Sequence, residues 1–230
     1  MTVKALVVSD NDEVRERFRE VVKSTTTRFE YFTSKEIIKS LSRTVDMSRW
    51  IRQWDMGFSV HSQFIFEPYM VRALKCINIH PGYNPYNRGW YPHVFSIING
   101  LPAGATIHEM DEKIDNGNII AQEEVEVLEH DTGGSLYEKI LDVEFKLLEE
   151  NIHSILSQNY AAVAPSKKGN FNSKKDYDKL CEIDLEKVVT MRQAVKHIAA
   201  LTHSPHHNAY FLDKRLQKVY MSFESREAYE

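Results

Sequence analysis

The chain has 230 residues, 42% hydrophobic and 27% charged, enough to bury one sizeable core with a smaller appendage. A net charge of −4 creates no global field for nucleic acid or a membrane surface, which excludes those partners and leaves small molecules met by local residues. Cys76 and Cys181 are too few and too far apart for a disulfide framework or a CxxC metal site, the opening MTVKALVVSDND is too short an apolar stretch for a signal peptide, and no apolar run reaches the roughly 18 residues of a membrane span. A soluble, cytoplasmic protein with reduced thiols is expected.

VKALVVSD reads as a strand buried on both faces and closed by a helix N-cap. In DEVRERFREVVKS, Val14, Phe18, Val21 and Val22 fall on one face of a period of about 3.6 residues, which predicts a helix. FEYFTS predicts a second strand, and residues 34 to 56 carry a mixed, partly helical signal. MGFSVHSQ predicts a short strand, EPYMVRAL a turn or two of helix and CINIH another buried strand, the alternation expected of a parallel sheet. HVFSIING predicts a helix closed by Gly100, and GATIHEMD and NIIAQEEVEV two strands around the turn IDNGN. In TGGSLYEKILDVEFKLLEENIHSILSQN, Leu136, Ile140, Val143, Leu147, Leu148, Ile152 and Ile155 form the stripe of one long helix.

The polar stretch PSKKGNFNSKKDYDKL predicts a linker or extended arm near residues 165 to 180. Beyond it, LEKVVTMRQAVKHIAAL predicts a helix, and NAYFLD and KVYMSF the strands of a hairpin. The expected architecture is α/β: a Rossmann-like, mostly parallel sheet flanked by helices over residues 1–164, and a small C-terminal extension of linker, helix and β-hairpin over 165–230. An isolated hairpin is marginal without something to pack on, so it is expected to help form a homodimer.

Ligands of open α/β sheets collect beyond the carboxyl ends of the strands, which directs attention to the end of CINIH. Asn78 and His80 are two apart, so on a strand they share one face and can aim at one ligand. The plainer alternative is an amide that caps the loop and a satisfied core histidine. Pro81 fixes the chain that leaves the strand. A second cluster is TIHEMDEKIDNGNII, with His108 on a strand and Asp111, Asp115 and Gly117 in a turn, where carboxylates usually satisfy local amides. A carboxylate beside an imidazole would favour its charged form and decide which ring nitrogen holds a proton, although spacing does not bring Asp115 to His80. HSPHH, containing His203, His206 and His207, reads as a polar loop and not a metal site, because no Cys or carboxylate completes a ligand set.

NIHPGYNPYNRGWYP, followed at a distance by TIHEMDEKIDNGNII, resembles the 10-formyltetrahydrofolate-dependent formyltransferase family, whose pattern is Asn-x-His-Pro, a proline-containing Arg/Lys-Gly loop, and Asp-x-Gly. The match spans at least residues 57 to 122, and NPYNRGWYPHVFSIING is most similar to the branch that formylates nucleotide-linked amino sugars. The resemblance implies an enzyme with 10-formyltetrahydrofolate as co-substrate and a nucleotide-linked amino sugar as acceptor, a dTDP-linked 4-amino-4,6-dideoxyglucose ahead of a 3-amino dideoxy sugar or GDP-perosamine. A formamido sugar would suggest bacterial surface polysaccharide. No metal is implied.

By the same resemblance, Asn78, His80 and Asp115 are catalytic. Formyl transfer to an amine develops an oxyanion that needs a waiting donor, the role implied for Asn78. The amine must be neutral and lose a proton, the role implied for His80, with Asp115 to orient it and relay protons. Phe64, Ile65 and Phe66, with Asp115, are implied at the folate; core packing is the competing reading for the two phenylalanines. Tyr83, Asn84, Tyr86, Arg88, Trp90 and Tyr91 are implied at the sugar nucleotide, Arg88 as a planar fork for phosphate and the aromatic rings as stacking faces. Gln63 stands where some relatives carry Lys, so the grip on phosphate is expected to be weaker or differently sourced. A non-catalytic binding module on the same fold is the rival reading; a lost catalytic residue would be its mark, and all three are present.

Overall fold

The computed structural model describes residues 2–224; residues 225–230 of the expected extension lie outside the described residues. In chain order the elements begin with β1 (Lys4–Val8), α1 (Asp12–Val22), β2 (Arg28–Phe32), α2 (Ser34–Ser42), α3 (Met47–Ile51), β3 (Met56–Val60), α4 (Pro68–Ala73) and β4 (Lys75–His80). There follow β5 (Arg88–Gly89), α5 (Pro92–Asn99), β6 (Ala103–Glu109), β7 (Ile119–Val125) and the long α6 (Gly133–Leu156). The chain continues with β8 (Phe171–Asn172), α7 (Lys174–Cys181), α8 (Met191–Leu201), β9 (Thr202–His203), β10 (His206–His207), β11 (Ala209–Leu212) and β12 (Lys218–Met221).

Six strands form one sheet in the order β2-β1-β3-β4-β6-β7. The first four are parallel, as the alternation of strand and helix predicts, whereas β6 runs antiparallel to β4 and β7 antiparallel to β6. The reversal lets β4 and β6 bring Asn78 directly opposite His108 in register, from residues 30 apart in sequence. The sheet is covered on both faces. Ala5 and Val7 of β1 face a core shared with Phe18, Phe58, Leu136 and Ile140, while Leu6 and Val8, alternating with them, face a second core with Ile37, Trp50 and Trp54. From β1 the chain first moves outward to β2 and then returns to the other side of β1 for β3, so the carboxyl ends of β1 and β3 flank a topological switch point.

Two expectations for the C-terminal part are corrected. The helix predicted over LEKVVTMRQAVKHIAAL begins only at Met191, because Thr190 and Gln193 close a reciprocal capping box there. The stretch near 165 to 180 is not a free linker: β8 pairs with β5, and α7 buries Tyr177 and Cys181 against the main core. Its anchor is Asn87, fully buried at φ 49, whose Oδ1 accepts from the side-chain amides of Asn99, Asn170 and Asn172. No local pattern in PSKKGNFNSKK announces such a remote acceptor. Among the described residues no helix is long and apolar enough to cross a membrane.

Candidate active site

A cleft of about 610 Å³ opens above the carboxyl ends of β1, β3 and β4. That is ample for a drug-sized ligand. The two remote segments singled out by sequence meet at its floor. β4 carries Asn78 and His80 on one face, and the turn after β6 carries Asp115 at φ 49. Asn78 Nδ2 donates to Asp115 Oδ1 at 2.9 Å, and His80 Nδ1 lies 3.9 Å from the same oxygen. The other carboxylate oxygen, Oδ2, accepts the Gly89 N–H at 2.9 Å, which ties the Arg-Gly loop to the same point.

His108 completes the floor. Its Nδ1 is 2.7 Å from the Glu109 carbonyl, which can only accept, so Nδ1 holds the proton and Nε2 accepts from Asn78 Nδ2 at 3.2 Å. Both amide hydrogens of Asn78 are therefore committed, one to Asp115 and one to His108. The longer bond to His108 is the one a ligand oxygen would replace.

The electrostatics keep the pair in opposite states. Burial lowers His80 below the ordinary histidine value against the opposing charge of Asp115, so its imidazole is the neutral, proton-accepting form at neutral pH. Burial alone would raise the Asp115 carboxyl, yet His80, His108 and the Gly89 N–H overrule it and hold it well below the usual aspartate range. His80 Nε2 is buried without a hydrogen-bond partner among the described residues. A neutral base, a fixed carboxylate and a displaceable amide donor are a set suited to acyl transfer.

One mouth of the cleft is apolar. Phe64, Ile65, Phe66, Met110 and Ile114 line it, with Ile65 and Ile114 largely exposed and Phe66 buried. The segment is pinned by Asp10, which accepts from the Ser34 and Gln63 N–H groups at 2.7 Å each. Exposed isoleucines on facing loops supply apolar lips above the polar floor.

The other half of the cleft is lined by Trp90 and Tyr91 from the loop, by His93, by Tyr137, and by Tyr177 and His203 of the C-terminal part. Tyr91 stacks on Tyr177 with centroids 3.8 Å apart. Tyr83, Asn84, Tyr86 and Arg88 lie behind this half of the cleft and are not among its lining residues. Asn84 is buried and its side-chain amide donates to the Asp115 carbonyl. The Arg88 guanidinium donates to Asn116 Oδ1 at 2.9 Å and to the Asn170 carbonyl at 3.4 Å, so it braces the Asp115 turn instead of facing the cleft. Its planar fork suits carbonyl oxygens on two loops as well as it suits a phosphate, and the motif does not say which. Lys113 is then the one lysine or arginine among the described lining residues, which also include the imidazoles of His61, His80, His93, His108, His203 and His206.

His61, Tyr137 and Glu144 were not singled out by spacing, although one signal was available. Leu136, Ile140, Glu144 and Leu148 fall four apart on the buried ridge of α6, and a lone acid in such a row asks for a partner. That partner is His61.

The sequence profile of the family described as "Formyl transferase" matches residues 2–152, and that of the "N-formyltransferase dimerization C-terminal domain" matches residues 176–224. The chain is 40% identical over 171 residues to a dTDP-4-amino-4,6-dideoxyglucose formyltransferase of Mycobacterium tuberculosis, covering 74% of this chain and 73% of that protein. Among solved structures it is similar to a 4-N formyltransferase from Francisella tularensis, at 42% identity and TM-score 0.89 over 98% of this chain and 99% of the other. It is also similar to the formyltransferase PseJ from Anoxybacillus kamchatkensis, solved with UDP-4,6-dideoxy-4-formamido-L-AltNAc and tetrahydrofolate, at 27% identity and TM-score 0.65 over 76% of this chain and 88% of that one.

Proposed function

The chain belongs to the formyl transferase family, and from that premise we propose that it moves a formyl group from 10-formyltetrahydrofolate to the amino group of a nucleotide-linked amino sugar, with dTDP-4-amino-4,6-dideoxyglucose as the acceptor. The observation that carries this reading is the convergence of Asn78, His80 and Asp115 on one carboxylate oxygen at the floor of the cleft. The folate supplies an activated one-carbon unit. Phe64, Ile65, Phe66 and Ile114 hold its heterocycle at the apolar mouth, and Asp115 stands beneath it.

The residues then do three things. Asn78 Nδ2 turns from His108 towards the carbonyl oxygen of the formyl group and meets the negative charge that develops as the amine adds. His80 accepts the amine's proton at Nδ1, the ring nitrogen that faces Asp115. Asp115 steadies the imidazolium so formed and guides its proton to the departing folate nitrogen. Trp90, Tyr91 and Tyr177 shape the acceptor half of the cleft, and the aromatic rings offer faces for a base or a hexose.

Purified protein supplied with 10-formyltetrahydrofolate and a panel of dTDP- and GDP-sugars, with the amine at C3 or C4, tests the reading. The highest kcat/KM is expected with the dTDP-linked 4-amino sugar. Preference for a C3 amine or a GDP sugar would reassign the acceptor, and no turnover with any member would remove the function.

The extension supports pairing of two copies. Leu185, Val188, Met191, Leu216 and Tyr220 are exposed within it, more apolar surface than a lone segment this small leaves in water. We read residues 1–164 as the catalytic unit and 165–230 as the extension that dimerises, and we place the reaction in the cytoplasm, where the free Cys76 and Cys181 stay reduced. A monomer by light scattering at micromolar concentration, or recovery outside the cytoplasmic fraction, would contradict these two assignments.

A further inference from the structure

The proposed reaction leaves one proton unassigned. An amino sugar arrives in neutral water largely as the ammonium ion, since an amine of this kind has a conjugate-acid pKa near ~8. Two protons must leave that nitrogen on the way to the formamide. One reappears on the folate nitrogen, by way of His80; the other needs a second acceptor.

The acceptor half of the cleft contains a chain of groups fit for it. Glu144 of α6 is fully buried, and His61 Nε2 lies 3.0 and 2.8 Å from its two carboxylate oxygens. His61 stands just past β3 at φ 50, and its Nδ1 lies 2.9 Å from the Tyr137 hydroxyl. Tyr137 precedes Glu144 by seven residues, two turns of α6, so both side chains leave the helix on one face. His61 and Tyr137 line the cleft; Glu144 does not. A sealed carboxylate is thus wired through an imidazole to a phenol that opens on the ligand.

Stability alone does not call for the arrangement, because a buried polar pair on a helix face is often no better than apolar residues of the same size. The carboxylate holds the hydrogen on His61 Nε2, which leaves Nδ1 to accept from Tyr137; the phenol oxygen accepts from Asn11 Nδ2 at 3.5 Å and keeps a second lone pair for a ligand donor. Resting on the function proposed above, we propose that Tyr137 is a further catalytic residue that receives the surplus ammonium proton, with His61 and Glu144 as positioning residues that store it. One N–H bond of the ammonium breaks, an O–H bond forms on Tyr137 as its own hydrogen passes to His61 Nδ1, and the imidazolium ends against the Glu144 carboxylate. No electron pair changes owner beyond these proton transfers.

The titratable groups that face the relay are His80 from β4, His93 from α5, His203 from β9, Glu13 from α1 and Glu138 from α6. Of these, His93 is buried, is pushed down to about 3 by burial, His203 and His61, and so stays neutral beside the relay. Burial and the Glu144 charge raise the Tyr137 phenol, which therefore passes a proton on without becoming a standing anion.

The test is the pH dependence of kcat/KM for wild type, E144Q and Y137F with the dTDP-linked 4-amino sugar. In the wild type kcat/KM should stay nearly level as pH falls from 9 to 7. In each variant it should drop about tenfold per pH unit below the amine's own pKa, since only the free base then reacts, and return to within a few-fold of wild type near pH 9. Variant profiles parallel to the wild type, whether lowered or not, would overturn the relay while leaving the formyltransferase reading intact. Absence of turnover in the wild type itself would remove both. Y137F keeps the ring and the helix packing, so a failure of E144Q to fold leaves the question answerable.

Discussion

Asp115→Asn lowers kcat by roughly a hundredfold to ten-thousandfold while the protein keeps its fold, the range expected when a positioned acid–base group is lost. The carboxylate accepts at both oxygens: Asn78 Nδ2 at Oδ1 and the Gly89 N–H at Oδ2. An amide in its place offers one acceptor and sets its own NH2 against the other donor, so either Asn78 or the Gly89 loop must move. The variant also removes the charge that raises His80 against the lowering effect of burial. His80 then binds its proton less tightly, and since the neutral imidazole is the active form, the acid limb of the pH–rate profile moves to lower pH. Asn78→Ala and His80→Ala are expected to lose activity on the same scale. Near-wild-type rates in all three, or an acid limb that moves upward in Asp115→Asn, would refute the roles assigned here.

Gly117→Ala, which touches no ligand, is expected to cost more than about a hundredfold in kcat, because misplacing a reacting group by about 1 Å has that effect. A Cβ on Gly117 would lie 1.8 Å from the Glu109 carbonyl oxygen, so the turn from 110 to 118 must open. That turn presents Asp115 to Asn78, and its Asn116 receives Arg88. The glycine of the Asp-x-Gly pattern is thus a close approach of two backbones. Gly100→Ala is the control: Gly100 sits at φ 66 with only the Lys196 ammonium at 4.0 Å, so alanine there meets open space and costs about 1 kcal/mol of strain without touching the site. Thermal melts read beside kcat separate the two. Equal activity loss in both variants would show that general destabilisation, and not displacement of Asp115, is the cause.

Much of this molecule was legible before folding. Apolar runs such as VKALVV and CINIH, short, rich in β-branched residues and closed by turn residues, read as strands covered on both faces, and the four-residue recurrence of Leu136, Ile140 and Leu148 reads as a buried helix face, because periodicity is a property of the local backbone. Asn78 and His80 were also readable as a pair, since two-residue spacing on a strand sets both on one side. The nearness of the Asp-x-Gly turn to His80 was readable only through the resemblance, not from spacing.

What the sequence left open depends on partners distant in sequence. Whether β6 and β7 run with or against the first four strands depends on the path of the connections, which hydrophobic alternation does not record. The segment near 165 to 180 looked like a tether because its own residues are polar, yet the buried Asn87 oxygen collects its asparagines. A guanidinium satisfies carbonyls and phosphates with the same geometry, so the motif alone leaves the partner of Arg88 open, and the fold supplies Asn116 and Asn170. Local periodicity and residue type thus established the strands, the helices and the kind of chemistry in advance. Which side chains face one another across the cleft, from His80 and Asp115 to His61 and Glu144, followed from packing alone, because a contact between residues 35 or 83 places apart leaves no mark on the order of the neighbours in between.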